Sequence, residues 1–182
     1  MDRDDVRAAL KRHHRESFGW ALACCAQDPD AAADALQTAY LKVLEGRARF
    51  DGRSAFRTWL FAVIRNTAAE ARRRKRLRNL GMLRYAEEAE RPAHAPPEDE
   101  RLDRVRMQED FRALLARLPR RQREALHLVF YHDLTIREAA VVMGVSLGSA
   151  RTHYERGKKR LRQWLTTDDD ETGRRSAESA LS

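Results

Sequence analysis

Apolar residues recur along this chain at the three-to-four-residue spacing of amphipathic helices, in blocks separated by short breaks. Leu10, Phe18, Leu22 and Cys25 mark one helix or two between Asp5 and about Cys25, and Asp28-Pro29 interrupts the pattern. A helix from about Asp30 to Leu44 sets Leu36, Tyr40, Val43 and Leu44 on one stripe, with Asp34, Gln37, Thr38 and Lys42 around its edges. Gly46 and Gly52 bracket a loop. Ser54 is placed to cap a third helix whose Phe56, Trp59, Leu60 and Val63 fall at i, i+3, i+4 and i+7, so these side chains are expected in a core. The helix continues into Ala71-Arg72-Arg73-Arg74-Lys75-Arg76, apolar at one end and strongly basic at the other.

Between Ala86 and Asp103 the chain turns acidic and proline-rich, with Glu87, Glu88, Glu90, Pro92, Pro96, Pro97, Glu98, Asp99 and Glu100 and little to bury. A flexible acidic linker is expected there. Its eighteen residues reach roughly 60 Å when fully extended, enough to let the units on either side stand far apart. Beyond it, Val105, Phe111, Leu114, Leu115 and Leu118 predict a helix stopped by Pro119, and Ala125, Leu126, Val129 and Phe130 predict another. The tail over 166–182 is polar and expected to be disordered. With no internal repeat and no β-rich segment, the prediction is an all-α chain of two small helical domains, 5–85 and 104–165, joined by a linker over 86–103.

The segment from Thr135 to Arg162 carries the most chemistry. Thr135 followed by Glu138 is a capping box, which satisfies first-turn amides that a helix otherwise leaves unpaired. The helix it starts presents Ile136, Ala139, Ala140 and Met143. Gly144 supplies the positive φ of a sharp corner, and Ser146 is placed to cap the next helix. That second helix carries Ser149, Arg151, Thr152, His153 and Arg156, then Lys158, Lys159 and Arg160. The pattern is a helix-turn-helix whose early residues would read bases and whose later cations would hold phosphates. Six cations lie between Arg72 and Arg78 with no acid among them, a second run suited to phosphate contact.

A net charge of +8 and a pI near 10.1 favour a polyanionic partner. No apolar run is long enough to span a membrane and the amino terminus lacks a secretory core, so a cytoplasmic location is expected. Cys24 and Cys25 are adjacent, which rules against a disulfide framework, and with His13 and His14 they match no zinc spacing, so no metal site and no cofactor are expected. Clustered carboxylates or a nucleophile with its base would mark an enzyme acting on nucleic acid; neither constellation is visible, and no catalytic residue is expected.

Taken in order, DALQTAYLKVL at Asp34–Leu44, SAFRTWLFAVIRNTAAEARRRKR at Ser54–Arg76 and the stretch Leu118–Arg162 resemble regions 2.2, 2.3–2.4 and 4 of the extracytoplasmic-function (ECF) class of bacterial sigma-70-type sigma factors. The resemblance covers nearly the whole chain and would make 5–85 region 2 and 104–165 region 4. It implies binding to core RNA polymerase through the β′ clamp and β flap, delivery to promoter DNA and opening of the minus-10 element, with no covalent chemistry. It carries over a polymerase-binding role to Asp34, Leu36, Gln37 and Tyr40. At the minus-10 element it implies Asn66 for a flipped base, with Arg72, Arg73, Arg74 and Lys75 on the backbone. At the minus-35 element it implies Ser149, Arg151, Thr152, His153, Arg156, Lys158 and Lys159. An anti-sigma factor is implied as a further partner.

The chain departs from the family where region 2.2 is commonly acidic: the positions read Ala31-Ala32-Ala33-Asp34 and Gln37-Thr38. Phosphorylation of Thr38 is one route that would restore charge there. The competing reading is a stand-alone dimeric helix-turn-helix regulator. It accounts for the segment after Thr135 but not for the aromatic-then-arginine helix or the acidic tether.

Overall fold

The computed structural model describes residues 2–82 and 114–179, with side chains described over 2–79 and 114–165. The expected linker and the residues Val105 and Phe111 lie outside the described residues. Among the described residues there are seven helices and no strand: α1 (Arg3–Arg12), α2 (His14–Cys24), α3 (Pro29–Leu44), α4 (Phe56–Met82), α5 (Arg120–Phe130), α6 (Ile136–Met143) and α7 (Leu147–Ser179). A helical turn at 114–116 precedes α5.

Local chemistry sets most of the helix ends. The Asp2 carboxylate accepts from the Asp4 and Asp5 amides at 2.9 and 2.8 Å and starts α1. Asp28 accepts from Asp30 and Ala31 at 3.1 and 3.0 Å, and Pro29 takes the first position of α3, where a missing N–H costs nothing. Asp28-Pro29, a break when read from the left, is therefore also a start signal. Ser54 does not cap α4: its hydroxyl donates to the Ala55 carbonyl at 3.3 Å, and the helix begins at Phe56. α7 runs on from the recognition segment through 166 to Ser179. Extending an existing helix escapes the cost of nucleation.

In the first half, α2, α3 and α4 close around Trp20, Ala21, Ala32, Ala35, Leu36, Ala39, Leu60 and Ile64. The alanines of α3 let its backbone come close to α4. In the second half, Leu114, Leu115, Leu118, Leu126 and Leu161 form a smaller core, and the Arg117 guanidinium lies 4.8 Å above the Trp164 ring. A Cβ on Gly157 would meet Leu126 Cδ1 at 2.8 Å and Gln122 Cβ at 3.2 Å, so α5 and α7 touch where no side chain fits. Gly157→Ala, normally favourable inside a helix, is therefore expected to destabilise by about 1–3 kcal/mol through overpacking. A urea midpoint equal to or above the parent's would contradict this.

The two halves are not held by a tether alone. Ala125, Leu128, Leu134, Ala139, Val142 and Met143 of the second half belong to the same core cluster as Trp20, Phe61, Ile64 and Ala68 of the first. The reason lies in α4, which is apolar on two sides. Leu60 lies toward the first-half core, while Phe61, Ile64, Arg65, Ala68 and Arg72 fall at i, i+3, i+4, i+7 and i+11 along a second stripe. A helix apolar on both sides must be covered on both.

Candidate nucleic-acid and polymerase interfaces

The helix-turn-helix is built as its residues dictate. The Glu138 carboxylate accepts from the Thr135 hydroxyl at 2.7 Å and the Thr135 amide at 2.9 Å, which together hold its carboxyl below its usual range, and the Thr135 oxygen in turn accepts from the Glu138 amide at 3.2 Å. Gly144 turns the corner at φ 62°, and the Ser146 hydroxyl caps α7 through the Ser149 amide at 3.1 Å. α7 buries Ala150, Gly157 and Leu161 on one side and exposes Arg151, Thr152, Arg156 and Lys159 on the other. Ser149 is exposed as well, but its hydroxyl is tied to Ser146 at 2.9 Å. His153 and Lys158 sit half-buried at the flanks, and Lys158 already faces Glu155 at 3.7 Å and the Tyr154 ring at 5.3 Å.

On α4, Asn66 is exposed and shares a stripe with Trp59 and Arg73 at a seven-residue step. The basic run expected to act together with it is divided between two grooves. Only Arg73 follows that stripe. Arg72 donates to the Cys24 carbonyl of α2 and borders the seam with α5, and it also lines, with Arg74 and Lys75, a groove between α3 and α4 that includes Thr38. Trp59 is half-buried, packed with Phe50 and Phe56 at ring distances of 5.4 and 5.3 Å. These three aromatics wall a shallow pocket with Gly46 and Gly52 and are not a sealed core.

On α3, Asp34 and Gln37 are exposed, and Tyr40 is half-buried with its hydroxyl 3.3 Å from His14 Nδ1. Leu36 does not share this surface: it is only 4% exposed and packs inside the core. Leu41, which the sequence pattern did not single out, is 45% exposed and continues the Asp34–Gln37 line by one helical turn. It was legible in principle as an apolar residue off the buried stripe.

Sequence reasoning also missed the polar centre of the seam. The Arg65 Nε donates to Glu124 at 3.1 Å, with both side chains almost fully buried. The same carboxylate accepts from Arg120 at 2.8 Å and lies 3.4 Å from Arg121, which also donates to the Met143 carbonyl at 3.1 Å. Beside it, Trp20 Nε1 donates to the Phe61 carbonyl at 3.0 Å, and the His132 ring stands edge-on to Phe61 at 4.7 Å. His132 Nε2 is buried without a hydrogen-bond partner. Burial pushes its imidazole down to about 4, from an ordinary value of 6.5, with Glu16 and Asp133 opposing the fall and Arg57 adding to it. The unfolded chain therefore binds the extra proton between these values, and stability is expected to fall as pH drops through that window, by up to ~3 kcal/mol below it. Denaturant melts from pH 7 to pH 4 should show this slope flattened in His132→Gln; an unchanged slope would assign the loss to other groups.

An exposed cationic reading helix in a capped helix-turn-helix, packed on a second helical unit with its own basic arm, defines a sequence-specific DNA-binding transcription factor. Residues 9–78 match the family model for sigma-70 region 2, and residues 108–161 match that for sigma-70 region 4. The chain is 29% identical over 170 residues to the ECF RNA polymerase sigma factor EcfG of Rhodopseudomonas palustris, covering 93% of this chain and 87% of that one. It is 30% identical over 146 residues to the ECF sigma factor RpoE of Cereibacter sphaeroides, covering 78% and 71%. Among solved structures it resembles the sigma factor RpoE of Bartonella quintana in complex with the anti-sigma factor NepR, with a TM-score of 0.66 and 25% identity over 90% of this chain and 98% of that one. The fold is also shared with CnrH, solved with the cytosolic domain of CnrY, at a TM-score of 0.61 and 20% identity. This chain belongs to the extracytoplasmic-function subfamily of sigma-70-type RNA polymerase sigma factors.

Its function is accordingly that of a sigma factor in DNA-templated transcription initiation. Nothing favours the stand-alone regulator. No helix among the described residues is long and apolar enough to cross a membrane.

Proposed function

We propose that the exposed line Asp34, Gln37 and Leu41, with the edge of Tyr40, docks on the β′ clamp of core polymerase, while the second half engages the β flap and the minus-35 element. Asn66 and Arg73 face the minus-10 strand, with Arg72, Arg74 and Lys75 joining once DNA is bound. Asp34 is the one carboxylate left on this line, and Leu41 offsets the missing acids by apolar contact. The chain acts in the cytoplasm and contributes no catalytic group, since bond formation belongs to the polymerase. An anti-sigma partner is supported by the Bartonella relative, which was solved with one.

The observation that carries the promoter assignment is the free cationic face of α7, which the packing of the two halves leaves uncovered. Arg151→Ala is expected to cost about 1–3 kcal/mol of binding, concentrated at one base position of the minus-35 element. Lys159→Ala should weaken all sequences alike, and more than Lys158→Ala, because Lys158 is partly neutralised by Glu155. Binding to a panel of promoter variants at two salt concentrations checks both. Uniform loss for Arg151→Ala would remove its reading role, and failure of the purified chain to direct initiation by core polymerase would remove the assignment as a whole.

A further inference from the structure

The seam between the halves contains a cleft of ≈ 490 Å³ lined by Arg72, Arg73 and Arg76 of α4 and by Arg120 and Arg123 of α5. Glu124 is the one acid on its wall among the described residues, and its oxygens already serve Arg65, Arg120 and Arg121. No described carboxylate pairs with Arg72, Arg73, Arg76 or Arg123. Arg72 Nη2 is enclosed with no acceptor, although Nη1 of the same group is bonded to the Cys24 carbonyl. The cleft also opens against the first turn of α5, where Pro119 provides no side-chain cap for the amides.

Like charges brought together from two elements repel, and an enclosed donor without an acceptor has lost its water for nothing. Burial and, after it, the Arg120 charge both press on Arg72, lowering its affinity for its proton. One species relieves all of these at once: an anion with several oxygens at guanidinium spacing, small enough for the cleft. A duplex is far too large.

We propose that this five-arginine cleft binds a compact polyphosphate anion, whose oxygens bridge α4 to α5 and hold the two halves in their closed arrangement. Such a ligand withholds Arg72 and Arg73 from the minus-10 strand. That consequence rests on the promoter assignment above; binding and closure do not.

The test is calorimetric titration of the full chain with inorganic tripolyphosphate, and with sulfate at matched ionic strength, alongside X-ray scattering. Saturable 1:1 binding is expected, at least tenfold tighter than sulfate, with a fall in radius of gyration or in hydrogen exchange along α5. Arg76→Gln/Arg123→Gln should weaken it at least tenfold, while Arg12→Gln/Arg15→Gln, an equal charge loss on exposed positions elsewhere, should change it less than twofold; circular dichroism confirms that both variants fold. Non-saturable binding, or equal loss in both variants, overturns the proposal in favour of diffuse charge. Binding without any effect on scattering or exchange overturns the bridging. Displacement by a short single-stranded oligonucleotide that itself loses affinity in Arg123→Gln would assign the cleft to the DNA backbone instead.

Discussion

Glu124→Ala is expected to separate the two halves of the protein. The substitution strands Arg65, which is almost fully buried and has Glu124 as its ion-pair partner. Removing one member of a buried pair costs about 3–5 kcal/mol. The chain can escape that cost by parting α4 from α5, which returns the guanidinium to water. Scattering should therefore show an expanded particle, and hydrogen exchange should rise along α5 and α6 while the α2–α3–α4 core stays protected. The double variant Arg65→Met/Glu124→Leu is the informative partner, because replacing a buried pair by apolar side chains of similar size is often neutral or stabilising. It should restore the compact form; Arg120 and Arg121, each about half exposed, can be hydrated instead. If two promoter elements are engaged only when the halves part, the alanine variant binds promoter and polymerase more tightly and the apolar pair less tightly, in proportion to the open fraction. A Glu124→Ala protein as compact and as stable as the parent would deny the pair any part in closure.

Trp20→Ala is expected to have an effect of comparable size on a different quantity. Trp20 has no exposed surface; it packs against Phe61 at 6.0 Å and touches the second half through His127 at 5.8 Å. Its truncation should cost about 3–5 kcal/mol, a large share of the roughly 5–15 kcal/mol that holds a domain folded. Unlike Glu124, it belongs to the core of α2, α3 and α4, so opening the seam gives no relief and the first half itself should melt. Trp20→Phe keeps most of the contact and loses the bond to the Phe61 carbonyl, a change of about 0.5–1.5 kcal/mol. Chemical denaturation of both variants decides the matter, and a Trp20→Ala midpoint within experimental error of the parent's would show that the site collapses around the gap.

The parts of the fold that were legible are those whose physics is local. Thr135 with Glu138, Gly144 and Ser146 act on amides within three residues of themselves, so their roles follow from spacing alone and reappear as hydrogen bonds. Ser54 had the same residue type but not the geometry: the chain around Gly52 places Ala55 before the first turn, and the hydroxyl is left beside the wrong carbonyl. Leu36 was assigned to a surface through a resemblance, whereas its own periodicity had already placed it on the buried stripe. The arginine run was read as one patch because its members are adjacent, but neighbours on a helix point 100° apart, so Arg73 lines the seam cleft, Arg74 lines the groove between α3 and α4, and Arg72 between them borders both.

Periodicity, caps and charge, all properties of short windows, determined that the regular structure of the described residues is helical, that the second half carries a helix-turn-helix with a basic outer face, and which family the chain resembles. How the halves meet was decided by the tertiary structure alone. Arg65 and Glu124 are 59 positions apart, and nothing within either window distinguishes them from other arginines and glutamates. Only when Phe61, Ile64 and Ala68 find Ala139, Val142 and Met143 does that arginine lose its water, and from then on the carboxylate facing it holds the seam together.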